Sequence, residues 1–176
     1  HHARAVNAAT ENASFAIDAA LENIWWLGAA AQYLEAEDPG FRALVIRRDM
    51  KAVAFSCFKT AFSLGERAWA DDAKDLGARL QAIRRMEDHW LATMPDRVKL
   101  VEYEKLVSEP AAVLADVFAW LGVGACELCL RPDETESALT SAGATEARGP
   151  PFHAQSLAAW KRYEPLLARE VFPHLK

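Results

Sequence analysis

The chain has 176 residues with a net charge of −5, and 26% of its residues are charged. This length suffices for one domain with a hydrophobic core, and the acidic balance argues against broad nucleic-acid binding, which usually shows as a basic face. No stretch is long and apolar enough to predict a membrane span, and the first residues lack the apolar core of a secretory signal. His1 and His2 are interpreted as a tag remnant, so the predicted domain covers residues 3–176.

The first elements along the chain are predicted to be a helix, a strand and a second helix. Residues 14–36 carry a broad apolar face at helical spacing, which indicates a helix. After the turn EDPG, residues 41–48 (FRALVIRR) have the composition of a short buried strand. Asp49 is placed to cap a helix that the pattern extends to about Leu64.

The later elements alternate in the same way. Residues 71–94 are predicted to form a long amphipathic helix, and VKLVEY, residues 98–103, a second strand. A capping serine and acid start a helix that runs from Ser108 to Gly122. Weaker patterns predict a short helix around 133–139 and a last helix over 155–170. Strands separated by helices imply the α/β class, with a thin parallel sheet covered by helices.

The chain has three cysteines, Cys57, Cys126 and Cys129. An odd count without a signal peptide indicates reduced thiols and a cytoplasmic protein. Cys126 and Cys129 form a CxxC motif, but the sequence holds no second CxxC or HxxxH to complete a zinc site, so no metal is expected. The motif follows a helix in a loop-like context, unlike thioredoxin-type sites. We therefore interpret these cysteines as structural or incidental, with a redox or zinc protein as the less favoured alternative.

The stretch VIRRDMKAVAFS, residues 45–56, places a cation at the exit of a strand and a helix directly after it. This arrangement is typical of anion sites in α/β proteins. Arg48 can direct two N–H groups at a phosphate, and Ser56 offers a hydroxyl about two helical turns later. Arg47 should point to the opposite face of the strand and is the weaker candidate. The competing interpretation is that Arg48 pairs with an acid and that Ser56 is an ordinary polar helix residue.

Six segments occur in the order found in a known family. They are DAALENIWWLG (18–28), RDMKAVAFS (48–56), HWLATMPDRVKLVEYEKLVSEP (89–110), WLGV (120–123), TSAGATEARGPP (140–151) and SLAAWKRYEPLL (156–167). On these segments the chain resembles the sulfotransferases that use 3′-phosphoadenosine 5′-phosphosulfate (PAPS). It is particularly similar to the bacterial type often fused to tetratricopeptide repeats, which is related to tyrosylprotein sulfotransferases. The likeness covers about residues 18–170.

The resemblance implies a P-loop-NTPase-like sulfotransferase fold. It also implies transfer of a sulfuryl group from PAPS to a hydroxyl acceptor, with no metal. Arg48 and Ser56 correspond to residues that hold the 3′-phosphate of the donor. Tyr103 corresponds to a tyrosine that contacts the nucleotide near its adenine, although a core tyrosine at the end of a strand is the competing interpretation. Glu104 and Lys105 are expected to be solvated.

The C-terminal segments imply further donor contacts. Ser141 corresponds to a hydroxyl beside the adenine, with Thr140 as the alternative because the match slips by one residue. Arg148 corresponds to an arginine beside the donor, and Lys161 to a basic position, while Trp160 and Tyr163 are expected to pack rather than bind. The sequence departs from the family pattern at Ala19, Leu21, Met50 and Ala159.

The residues of the reacting half of the site are not identified. In the family, the phosphosulfate loop and the catalytic base come from a strand, loop and helix upstream of the first segment. The 17 residues before Asp18 show no strand signal and no Gly-Ser/Thr loop, so the predicted domain is partial and its first strand missing. Three explanations stay open: a longer chain, a second polypeptide or tetratricopeptide-repeat region that supplies the rest, or a catalytically inactive relative that binds a nucleotide or a protein.

Overall fold

The computed structural model describes residues 17–37, 40–60, 68–131 and 157–175. The chain divides into two compact units, His1–Pro39 and Gly40–Lys176, and each is described by itself. Within the described ranges, no helix has the length and apolar character needed to cross a membrane. The single domain expected over residues 3–176 stays a prediction.

The first unit contains helix α1, Asn23–Glu37. The sequence predicted a helix from residue 14, but residues 17–22 are not helical. The Asp18 carboxylate accepts a hydrogen bond from the backbone N–H of Ala20 at 3.0 Å, and Asn23 Nδ2 donates to the Asp18 carbonyl at 3.4 Å. These bonds satisfy polar groups in a non-helical turn, which competes with the helix and delays its start.

The second unit begins with strand β1, Ala43–Arg47, followed by helix α2, Met50–Lys59. The predicted cap is confirmed, because the Asp49 carboxylate accepts a hydrogen bond from the backbone N–H of Ala52 at 2.9 Å. The predicted continuation of α2 to about Leu64 is wrong. The extended backbone of Thr60 (φ −93°, ψ 121°) ends the helix, and its hydroxyl donates to the Ser56 carbonyl at 2.7 Å.

A short 3₁₀ helix, Ala68–Ala70, precedes the long helix α3, Ala73–Thr93. The prediction over residues 71–94 is confirmed to within two residues at each end. Asp72 caps α3 by accepting from the backbone N–H groups of Lys74 (2.8 Å) and Asp75 (3.0 Å). The N–H groups of Asp75 and Lys74 also lower the pKa of the Asp72 carboxyl.

Strand β2, Val98–Glu102, pairs in parallel with β1, with Ala43 opposite Val98 and Arg47 opposite Glu102. The predicted parallel sheet is thus confirmed, in an order of elements that gives the α/β class. The strand ends one residue earlier than predicted, because Tyr103 is already the first residue of helix α4, Tyr103–Ser108.

Helix α5 spans Pro110–Leu121 and ends at Gly122, whose φ of 71° is in the left-handed region that favours glycine. The predicted serine cap is wrong, because Ser108 belongs to α4 and its hydroxyl donates to the Lys105 carbonyl at 3.4 Å. Pro110 instead occupies the first turn of α5, where its missing N–H costs no hydrogen bond.

The remaining described elements are short. They are the 3₁₀ helix Glu127–Leu130, the 3₁₀ helix Ala159–Tyr163, helix α6 Glu164–Glu170 and the 3₁₀ helix Phe172–Leu175. The continuous helix predicted over 155–170 is therefore wrong around Lys161. Pro165 has no N–H to offer the Lys161 carbonyl, which accepts instead from Glu164, one residue earlier. The helix predicted around 133–139 lies outside the described residues.

One hydrophobic core joins α2, α3 and the C-terminal elements. Its buried members are Ala52, Ala54, Leu76, Leu80, Trp160, Leu167 and Val171. The two alanines of α2 leave room for the larger side chains from its neighbours. At Gly77 the approach is so close that a Cβ would lie 2.2 Å from the carbonyl oxygen of His174, so the C-terminal segment rests directly on α3.

Candidate functional site

The two strands end side by side, and each leads directly toward a helix. Strand β1 continues through Arg48 and Asp49 into α2, while β2 continues without a break into Tyr103 and α4. The guanidinium carbon of Arg48 lies 4.7 Å from the centroid of the Tyr103 ring. Such a cation–π contact orients the plane of the guanidinium. The structure therefore brings two of the predicted site residues together, at the sheet edge where open α/β proteins bind ligands.

The backbone around Arg48 is held from two directions. Arg84 of α3 donates from Nη2 to the Arg48 carbonyl at 3.1 Å. Glu104 of α4 accepts from the backbone N–H of Asp49 at 2.9 Å. The expectation that Glu104 is merely solvated is wrong, because this half-buried carboxylate joins the two strand exits. The arginine that faces the ligand edge thus stands on a fixed backbone.

Arg47 is engaged elsewhere. Its Nε donates to Glu87 at 2.8 Å, and its Nη2 bonds the Asp88 carboxylate. Partial burial acts to lower the pKa of Arg47, but the hydrogen bonds and charges of Asp88 and Glu87 together raise it. Glu87 is itself buried and lies 3.5 Å from Arg84. These contacts neutralise Arg47 and agree with its ranking as the weaker anion-binding candidate.

Asp49 decides how an anion can be bound here. Its carboxylate sits on the first turn of α2, where the exposed N–H groups and the helix dipole would otherwise attract an anion. A phosphate placed directly on that terminus would meet a carboxylate. An anion bound at this edge would therefore depend on the guanidinium of Arg48.

Ser56 lies half-buried on the second turn of α2, on the same helix row as Ala52. Ser56 lies six helical positions after Met50, a rise of about 9 Å along the helix axis. Its carbonyl accepts the Thr60 hydroxyl, so the end of α2 is fixed just beyond it. The serine thus shares the helix that starts at the Arg48 junction, two turns further along.

The C-terminal segment packs against α2 as expected for its aromatic residues. Trp160 is buried and meets Phe172 edge-on at 5.5 Å, and Tyr163 stacks on Phe55 at 5.2 Å. Lys161, between the two aromatics, is exposed. Ser141 and Arg148 lie outside the described residues, so the structure does not test their predicted roles.

Lys51 was missed by the sequence analysis. Its Nζ lies 5.2 Å from the centroid of the Trp160 ring and 4.9 Å from that of Phe172. It borders a cleft of about 480 Å³ between the start of α2 and the C-terminal elements. The cleft is lined by Asp49, Met50, Lys51, Ala168, Phe172, Pro173 and Leu175. The position of Lys51 two residues after Asp49, in the first turn of α2, was the available sequence signal. No sequence pattern linked Lys51 to aromatic residues more than a hundred positions away.

The part of the chain that the structure describes contains no group of three or more His, Cys, Asp or Glu residues able to hold a metal ion. The polar groups at the sheet edge are a guanidinium, a phenol and carboxylates engaged with backbone N–H groups or arginines. This set fits an organic anion such as a phosphate ester.

Comparison with known protein families identifies the family of this chain. A family model described as "Sulfotransferase family" matches residues 2–126, which is most of the chain. No curated protein matches the chain. The matched range contains Arg48, Ser56 and Tyr103, and it ends before Ser141, Arg148 and Lys161.

Proposed function

We propose that this chain, which belongs to the sulfotransferase family, transfers a sulfuryl group from PAPS to a hydroxyl acceptor in the cytoplasm. The observation that carries the proposal is the convergence of Arg48 and Tyr103 where β1 and β2 end, 4.7 Å from guanidinium carbon to ring centroid. The P-loop-like organisation of the complete fold and the likeness to the bacterial, tetratricopeptide-repeat-associated type belong to this proposal as well.

The proposed roles follow from the chemistry of each side chain. Arg48 places two parallel N–H donors on the 3′-phosphate of the donor, and the Ser56 hydroxyl adds a further bond to it. Tyr103 orients Arg48 with its ring and contacts the nucleotide near the adenine. Ser141 provides the adenine-side hydroxyl, and Arg148 and Lys161 add positive charge around the donor.

Sulfuryl transfer also needs groups that these residues do not provide. The acceptor oxygen attacks the sulfur as the bond from sulfur to the 5′-phosphate breaks, so a base must take the acceptor proton. Positive charge must also stabilise the leaving phosphate. We assign both to an N-terminal region, on the same or another chain, and leave the catalytic base unassigned. The acceptor is a hydroxyl of a carbohydrate, a peptide tyrosine or a small natural product.

The first test is calorimetric titration with the product nucleotide 3′-phosphoadenosine 5′-phosphate. Since a hydrogen bond to a charged group contributes about 1.5–3 kcal/mol, Arg48→Ala should weaken binding about 10- to 100-fold. Arg169→Ala removes the same charge from an exposed side chain of α6 that pairs with Glu170, and it should bind like the wild type. Adenosine 5′-monophosphate, which lacks the 3′-phosphate, should bind both arginine variants equally.

The outcomes separate the possibilities. A folded chain that binds no nucleotide, alone or joined to its N-terminal region, overturns the proposal. Equal weakening of both nucleotides by Arg48→Ala would remove Arg48 from the 3′-phosphate. Binding without sulfuryl transfer to a panel of hydroxyl acceptors, in the complete protein, would favour a catalytically inactive nucleotide-binding module.

A further inference from the structure

The CxxC motif lies on a tight turn just after α5. Cys126 immediately precedes the 3₁₀ helix Glu127–Leu130, which contains Cys129. The backbone N–H of Cys129 donates to the Cys126 carbonyl at 3.1 Å and closes the turn. A turn of this type holds its first and fourth Cα atoms within about 7 Å, and disulfides join Cα atoms about 4.4–6.8 Å apart. The backbone is therefore close to disulfide geometry while both thiols are reduced.

The two thiols are accessible, in contact and chemically unequal. Both cysteines are exposed and unbridged. The pKa of Cys126 is lowered, first by its hydrogen bond with Cys129 and then by the backbone N–H groups of Cys129 and Leu128. The pKa of Cys129 is raised, first by desolvation and then by the hydrogen bond and charge of Cys126. These directions make Cys126 the thiol expected to ionise first and to attack as the nucleophile.

Metal binding is the other use of a CxxC pair. A structural zinc site needs four ligands. Within the described ranges, Cys126 and Cys129 belong to no group of three or more metal-ligating side chains. The geometry therefore favours chemistry between the two sulfurs themselves.

We propose that Cys126 and Cys129 form a redox-active dithiol that reacts with small disulfides and closes to an intramolecular disulfide. The Cys126 thiolate attacks one sulfur of the small disulfide, which gives a mixed disulfide and releases one small thiolate. Cys129 gives its proton to solvent and attacks the Cys126 sulfur, so the internal disulfide forms and the second small thiolate leaves. Two protein thiols are oxidised, and one small disulfide is reduced to two thiols.

The test uses the full chain in glutathione buffers of increasing oxidised-to-reduced ratio, followed by acid quenching, alkylation and mass spectrometry. We expect Cys126 and Cys129 to lose alkylation together in one two-electron transition, while Cys57, a half-buried member of the core cluster, stays alkylated. Cys129→Ser should lose the internal disulfide and accumulate glutathione on Cys126. Cys126→Ser should accumulate less adduct at the same time point.

Several results would overturn the proposal. Glutathione adducts on both cysteines of the wild type without closure would mean that the sulfurs do not react with each other. Oxidation of Cys57 at the same ratio would mean that the pair has no special reactivity. Zinc that copurifies with the chain and is lost in Cys126→Ser would identify a metal site instead. Circular dichroism of Cys126→Ser and Cys129→Ser checks that each variant is folded.

Discussion

The two strand exits look alike in outline but are built differently. After β1, two residues intervene before α2, and Asp49 caps the helix with its own side chain. After β2, α4 begins at once, and Glu102 in the capping position makes no side-chain capping bond. Glu104 of α4 instead reaches across to the backbone N–H of Asp49. The two exits therefore differ in role: the first carries Arg48, and the second supports it through Glu104 and the Tyr103 ring.

The largest expected loss of stability comes from removing Glu87, the buried acid that pairs with Arg47 at the end of β1. Glu87→Ala would leave the half-buried Arg47 without its buried acceptor and should lower the free energy of unfolding by about 3 kcal/mol in a urea titration. Asp88 is the other partner of Arg47, and its own side chain is 60% exposed. Asp88→Ala should therefore lower the free energy of unfolding by less than about 1 kcal/mol. Equal losses would mean that the burial of Glu87 does not fix the first exit.

The next effect tests the bond between the exits. Glu104→Ala removes the acceptor of the Asp49 N–H and should cost about 1.5 kcal/mol of stability, with weaker binding of 3′-phosphoadenosine 5′-phosphate. Glu104→Gln keeps an acceptor oxygen and should recover most of both losses. Unchanged nucleotide binding in the alanine variant would show that the second exit does not support the first.

The two helix starts provide a matched pair. Asp49→Ala should lower stability by about 1 kcal/mol because it removes the α2 cap, and should tighten nucleotide binding because it removes a carboxylate near Arg48. Glu102→Ala removes only an ion pair with the exposed Lys105 and should leave stability nearly unchanged. Thermal melts and calorimetry of both variants measure the contrast. Comparable destabilisation would contradict the different capping of the two helices.

The smallest effect concerns the aromatic ring of the second exit. Tyr103→Leu removes the face that holds Arg48, and since such contacts contribute about 0.5–1 kcal/mol, nucleotide binding should weaken about 2- to 5-fold. Tyr103→Phe keeps the ring and should bind nearly as the wild type does. If the phenylalanine variant is as weak as the leucine variant, the hydroxyl contributes rather than the ring.

The sequence predicts those parts of the fold that depend on local chemistry. Periodicity located α3, the alternation of elements implied a parallel sheet, and Asp49 was recognised as a cap from its position. The late start of α1 was missed because the Asp18 carboxylate accepts a hydrogen bond from the nearby Ala20 N–H. The 3₁₀ segment around Lys161 was missed because Pro165 has no N–H to donate to the Lys161 carbonyl, four residues earlier. Both outcomes depend on local hydrogen bonds that compete with the helical pattern, and the spacing of apolar residues carries no information on that competition.

The candidate site divides in the same way. Arg48 was predicted as a site residue because a cation at a strand exit is a sequence pattern, and its contact with Tyr103 follows from the parallel pairing. Glu87, Arg84 and Glu104 were missed as supporting residues, because their bonds cross 36 to 55 positions of sequence. Those contacts depend on how α3 and α4 pack beside the strands, which a single sequence does not reveal.

The pairing of β1 with β2 has a consequence for the folding pathway. The bond between Asp49 and Glu104 joins positions 55 residues apart, with the whole of α3 between them. Such non-local contacts form late, because the entropy of closing the intervening loop is lost before the contact repays it. While the chain is being synthesised, α2 and α3 can form first, but Arg48 gains its aromatic platform only after β2 has emerged. We therefore expect the sheet edge at Arg48 and Tyr103 to be assembled in one of the later steps of folding, and the proposed nucleotide binding would serve as a kinetic probe for that step.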